Sequence, residues 1–156
     1  GGGMRAQMLS MLFILAGWHG IANAADPAAI QSMNDYLWSN RPLLVFAPEP
    51  GHPIVAVQRS ELAGRDGNFR ERDMVYIEVL AGSVSIDGQP APGLNAAELR
   101  GRYRLDAGEA AALLVGKDGG VRLRSGRAPD AAALFDTPDP RRMRQRDMGK
   151  DVGDGG

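Results

Sequence analysis

Beyond the first 24 residues the chain has a single histidine, His52, in the loop Pro48-Glu49-Pro50-Gly51-His52-Pro53. An imidazole beside a carboxylate is the smallest set that does general acid–base chemistry, and Glu49 is three residues away. Such a pair also needs a group on the substrate side, and the sequence identifies none, so no catalytic residue is assigned. An ordinary loop histidine is the competing reading.

Arginine offers a different chemistry. Arg122 and Arg124 alternate with Val121 and Leu123, so both fall on one face of a strand. Arg100, Arg102 and Arg104 cluster upstream, and Arg141, Arg142, Arg144 and Arg146 crowd the C-terminal part. A guanidinium is a planar fork that grips carboxylates and phosphates. The candidate ligand-binding residues are therefore His52, Glu49, Arg122, Arg124 and Arg144, and the ligand class is a protein surface or a small anionic molecule. Against this, Asp130, Asp136, Asp139, Asp147 and Asp151 interleave with the basic residues, as on a solvated, charge-balanced face. Tyr36 and Trp38 next to Arg41 suggest a stacking platform, or simply aromatic cover for the core.

Other chemistries are excluded or unsupported. There is no cysteine, so this sequence has no thiol nucleophile, no dithiol redox pair and no thiolate metal site. Asp118, Asp136 and Asp139 lack metal-loop spacing. Lys117-Asp118-Gly119-Gly120 is not a phosphate loop, because it joins two strands rather than a strand and a helix. No cofactor and no metal are expected.

These side chains need elements to carry them. Ala111 to Val115 is an unbroken apolar run that enters the Lys117–Gly120 turn, and Val121 to Arg124 alternates on leaving it. That is a β-hairpin with a buried inner strand and a half-buried, charged outer one. Leu43 to Ala47 reads as a central strand buried on both faces. Met74 to Leu80 is a strand with Val75, Ile77 and Val79 on one face and Glu78 on the other, which predicts a place at or near an edge.

Asp26-Pro27 starts a helix expected to run to about Trp38 through Ile30, Met33 and Leu37. Pro53 opens a second, with Ile54, Val57 and Leu62 as its stripe and Gly64 at its end. Arg65 to Arg72 reads as a charged loop. Ala81 to Gly93 is a loop or small excursion, with Val84 and Ile86 as a minor strand. Asn95 caps a third helix that buries Leu99 and Tyr103. Asp130 to Phe135 forms a last helical turn. Alternating helices and strands ending in a hairpin imply a mixed sheet in an α/β domain.

Met4-Arg5, the apolar stretch from Met8 to Gly17 and Ala22-Asn23-Ala24 have the three parts of a secretory signal peptide, cleaved after Ala24. The apolar run is short for a membrane span. Loss of Arg5 with that leader leaves 17 basic and 19 acidic residues, a net charge of −2, which gives no case for nucleic acid. Sixteen arginines against two lysines, with abundant Ala and Gly, suggest a GC-rich bacterial genome. The expected location is then the periplasm or outside the cell. The expected organisation is a leader over 1–24, one domain over 25–148 and a disordered Gly/Asp tail over 149–156.

Four blocks in order carry a resemblance: Tyr36 to Pro48, Glu71 to Val75, Leu114 to Leu123, and Asp139 with Met143-Arg144-Gln145 and Met148. Together they resemble a bacterial family of small exported proteins known as a domain of unknown function. That family is related to the thioredoxin-like domain of sushi-repeat and equatorin-type secreted proteins. The resemblance implies a thioredoxin-like three-layer fold and a secreted location, and brings no activity with it. Arg141-Arg142 stand where the family carries Met-Pro. Pro48 to His52 occupies the place of the redox cysteine pair without sulfur, and no proline precedes Ala111. Both features speak against redox chemistry.

Overall fold

The structure is a computed structural model, and it describes residues 26–136. The leader over 1–24, Arg144 with its neighbours Met143 and Met148, and the tail over 149–156 lie outside the described residues.

Six strands form one sheet: β1 Arg41–Ala47, β2 Met74–Leu80, β3 Ser83–Ile86, β4 Gln89–Pro90, β5 Ala111–Val115 and β6 Val121–Ser125. Their order across the sheet is β4-β3-β2-β1-β5-β6. Four helices accompany them: α1 Pro53–Leu62, α2 Asp66–Glu71, α3 Ala96–Arg102 and α4 Ala131–Asp136. β1 and β2 are parallel, as a crossover through α1 requires, and every other pairing is antiparallel. The result is a three-layer α/β fold with a mixed sheet, compatible with a thioredoxin-like arrangement.

Strand parity explains the layers. Leu44 and Phe46 of β1, Ile77 and Val79 of β2 and Leu113 of β5 point to one side, where they meet Leu99 of α3, Tyr103 and the N-terminal residues Ile30, Met33 and Tyr36. Leu43, Val45 and Ala47 point to the other, under α1 and α4. β1 is central and paired on both edges, so its residues from Leu43 to Ala47 are wholly buried.

Four local expectations give way to tertiary context. The N-terminal segment is not one helix to Trp38 but two 3-10 turns, Pro27–Ala29 and Met33–Tyr36. Ser32 Oγ accepts from the Asn34 N–H, and the Asp35 carboxylate accepts from the N–H groups of Gln31 and Ser32. These side-chain bonds offer the backbone an alternative to a continuous helix. Arg65 to Arg72 is not a loop: Asp66–Glu71 is α2, anchored by Phe69 edge-on to Phe135 with ring centroids 5.9 Å apart. On α1, Val57 is 49 % exposed, and Gln58 takes the inward place beside Ile54 and Val55. Gln58 Nε2 donates to the Pro129 carbonyl, while its Oε1 is buried without a partner.

Glu78 is the fourth case. β2 is an interior strand, with Val45 of β1 and Ser85 of β3 on either side of Glu78. The carboxylate is tolerated there because Arg59 reaches down from α1, with Nε and Nη2 2.7 and 2.6 Å from its two oxygens, and the Tyr76 hydroxyl donates at 2.7 Å. Burial alone would raise the Glu78 pKa. The hydrogen bonds from Arg59 and Tyr76 and the charge of Arg59 outweigh it and hold the carboxyl below its ordinary value. Burial, with the bond to Glu78, raises the Tyr76 phenol well above its ordinary range.

A carboxyl depressed on folding contributes stability that is complete above its unfolded pKa, about 4.3, and is lost as pH falls through the folded value. A Glu78→Gln variant is expected to be less stable than the parent at pH 7 by urea unfolding. The gap should narrow in acid below about pH 4. A gap that stays constant with pH would contradict this assignment.

Candidate functional site

Candidate side chains lie at both ends of the sheet. At the carboxyl end of β1 the loop 48–52 leads into α1. His52 is the N-cap of that helix: its Nδ1 accepts from the Ile54 N–H at 3.2 Å, and its own N–H donates to the Glu49 carbonyl at 3.2 Å. Pro53 follows at the first helical position, where its missing N–H costs nothing. The loop thus joins His52 and Glu49 through the backbone, and the Glu49 side chain is exposed. The imidazole lone pair that a general base would use is engaged in the cap.

Arg122 and Arg124 lie on edge strand β6, but a register shift opposite Leu114 and Val115 leaves Arg122 out of the pairing and breaks the expected alternation, and the two turn in different directions. Arg122 folds back onto the hairpin turn, with Nη2 2.7 Å from Asp118 Oδ2, while Asp118 Oδ1 accepts from Gly120 N–H. That N–H and the Arg122 contact keep the Asp118 carboxyl below its usual range. Arg124 donates to the carbonyls of Tyr103 and Arg104 at 2.6 and 3.1 Å, just past the end of α3, and lies 3.6 Å from Glu109. A cation there satisfies carbonyls the helix leaves open and complements its dipole. Both guanidinium groups have partners within the chain, and their geometry is that of struts. Arg144 lies outside the described residues.

Arg100 belongs to the same arginine cluster in sequence but to a different environment. It is 6 % exposed. Its guanidinium donates to the carbonyls of Asp106, Glu109 and Ala47 at 3.0–3.1 Å and sits 5.6 Å from the centre of the Phe46 ring. It welds the segment 103–110 to the carboxyl end of β1. Sequence spacing carries no hint of this, because all three acceptors are backbone carbonyls.

The opposite end of the sheet carries the most unusual surface. Here the residues entering β1, the residue entering β2 and the β5–β6 turn converge. Trp38 N–H donates to the Lys117 carbonyl at 2.7 Å, Lys117 Nζ lies 2.7 Å from Asp73 Oδ2, and Asn40 Nδ2 donates to the Asp73 carbonyl. Trp38 and Asp73 both take left-handed backbone, φ 65° and 54°. That conformation is costly for a bulky L-residue, about 1–2 kcal/mol, and the three-segment network holds it. The Trp38 side chain is nonetheless 74 % exposed, and Val121 at the start of β6 is 43 % exposed. Tyr36 does what core aromatics do: it is buried, and burial, with the charges of Asp87 and Asp35, pushes its phenol up to about 12.

At Leu37, the residue before Trp38, runs a crevice lined by Met33, Tyr36, Leu37, Pro42, Arg102 and Val115, with a free volume of about 10 Å³, room for one water. Gly119, at φ 87°, closes the turn against it, and a Cβ there would lie 2.9 Å from Leu37 Cδ2. Residues 32–147 match the family described as Domain of unknown function (DUF4174).

The chain belongs to the DUF4174 family.

The matched span contains both ends of the sheet, the hairpin and Arg144, so for this DUF4174 domain the family covers the whole described domain save its first six residues. No curated protein matches the chain. Among the described residues no helix of the DUF4174 domain is long and apolar enough to cross a membrane, and no group of three or more His, Asp or Glu is placed to hold a metal ion.

Proposed function

We propose that this DUF4174 protein is an exported, non-redox binding module that docks a protein partner through the end of the sheet formed by Trp38 and the β5–β6 turn. One observation carries the reading: a tryptophan 74 % exposed, fixed in left-handed backbone by a bond to Lys117. An exposed tryptophan on a fixed backbone is well suited to anchor an interface, since it supplies large area at small entropic cost. Local stability does not explain it, because glycine would suit φ 65° better. Val121, just after the same turn, is a second exposed apolar residue. Export rests on the leader over 1–24 and on the family resemblance read in the sequence, and the location proposed is the periplasm or the exterior of a bacterium.

Trp38→Gly separates fold from function. Relief of the left-handed strain should leave the melting temperature unchanged or a few degrees higher. A photo-reactive residue at position 121 should give one dominant cross-linked protein in the cells that make the chain. The same residue at position 57, on the outer side of α1, should not. The adduct should vanish in Trp38→Gly. An adduct that persists in that variant, or forms equally from position 57, would refute the site. Export is checked on the purified protein, whose first residue should be Ala25.

A further inference from the structure

We infer that the partner segment presents a carboxylate side chain to Arg102, next to a bulky apolar side chain seated against Leu37 and Trp38. The inference rests on the docking reading above and specifies its chemistry. Arg102 is exposed at the last position of α3 and lines the same crevice as Leu37, the residue before Trp38. Its Nη2 donates to the Asn34 amide oxygen at 2.9 Å, and its guanidinium lies 5.9 Å from the centre of the Tyr103 ring. These two contacts fix the fork in place without neutralising it. The neighbouring cations at this end are paired: Lys117 with Asp73, and Arg122 with Asp118. No carboxylate of the described residues pairs with Arg102.

The crevice therefore combines apolar walls from Met33, Leu37 and Val115 with one oriented guanidinium that forms no ion pair among the described residues. Charge complementarity selects a carboxylate, and a guanidinium fork binds one through two parallel hydrogen bonds. The apolar walls and Trp38 select a bulky aliphatic or aromatic residue a few positions away. A crevice with room for one water does not swallow a side chain, so the contact is made at its mouth, where Arg102 and Leu37 both line it and Trp38 follows Leu37 in the chain.

The test uses an array of random twelve-residue peptides immobilised through their C-termini, so that only Asp and Glu side chains offer carboxylates. It is probed with the purified chain. Retained peptides should be enriched in Asp or Glu within three positions of a large apolar residue. Arg102→Ala should weaken the best of them by about tenfold and abolish the acidic preference while the apolar one survives. Arg102→Lys should restore part of the loss. Retention that depends on Trp38 but shows no acidic preference, or an acidic preference unchanged in Arg102→Ala, overturns this inference and leaves the docking site standing. An array that retains nothing overturns both.

Discussion

An Arg100→Met variant is expected to unfold about 3–5 kcal/mol more readily than the parent chain, with a melting temperature lower by roughly 10–20 °C. Methionine keeps most of the side-chain length and loses every donor. When a buried ion pair is replaced by apolar residues the change is often neutral, because both charges leave together. That escape does not exist here. The partners of Arg100 are the backbone carbonyls of Asp106, Glu109 and Ala47, which no side-chain substitution removes. Ala47 keeps the bond from Ala81 N–H and Asp106 keeps the one from Glu109 N–H, so the full desolvation cost falls chiefly on the Glu109 carbonyl. The segment between α3 and β5 loses its tie to β1 at the same time. Arg100→Lys should fall between the two, since an ammonium offers no fork to span separated carbonyls. Urea unfolding at neutral pH measures both. A loss below about 1 kcal/mol for the methionine variant would mean that water reaches the carbonyls and that Arg100 is no strut.

Gly93→Ala is the second large effect, and it works through space rather than charge. A Cβ at position 93 would stand 2.2 Å from the Ile30 carbonyl oxygen and 2.9 Å from Gln31 Nε2. The glutamine side chain can rotate away, but the carbonyl is backbone, and the Ile30 side chain is buried in the core. The N-terminal segment must therefore shift by the better part of an ångström, at a cost of about 2–3 kcal/mol, comparable with other overpacking substitutions. Gly101→Ala is the control. It lies inside α3 with nothing within 4 Å of the new methyl, so alanine's better helix propensity should leave it neutral or up to about 1 kcal/mol more stable. Equal effects at the two positions would show that the Ile30 contact does not limit position 93.

These effects lie where the sequence is least legible. Elements whose signal is local can be read from the residues alone. The apolar run at 43–47 could only be a strand covered on both faces, because no exposed strand tolerates five such residues in succession. The hairpin was equally plain, since Gly119 supplies the positive φ its turn requires. The missing cysteines rule out thiol chemistry by composition alone. The family blocks, too, lie within the span that the DUF4174 match covers, apart from Met148 at its end.

What each charged or aromatic side chain does depends on contacts between segments far apart in the chain. Arg100, Arg102 and Arg104 are alike in type and spacing, yet one is a buried strut and another lines the crevice at Leu37. The difference lies in a carbonyl 53 residues away in sequence. Glu78 reads as an edge residue until Arg59, on a helix that crosses above it, supplies its counter-charge. Val57 and Gln58 exchange the places their polarity suggests, because the Pro129 carbonyl offers Gln58 a bond inside. Trp38 ends on the surface because a lysine carbonyl 79 positions later fixes its backbone. Periodicity and turn chemistry act over a few residues and can be read along the chain. The partners of a guanidinium, a carboxylate or an indole are set by folding, which brings distant segments to one end of the sheet.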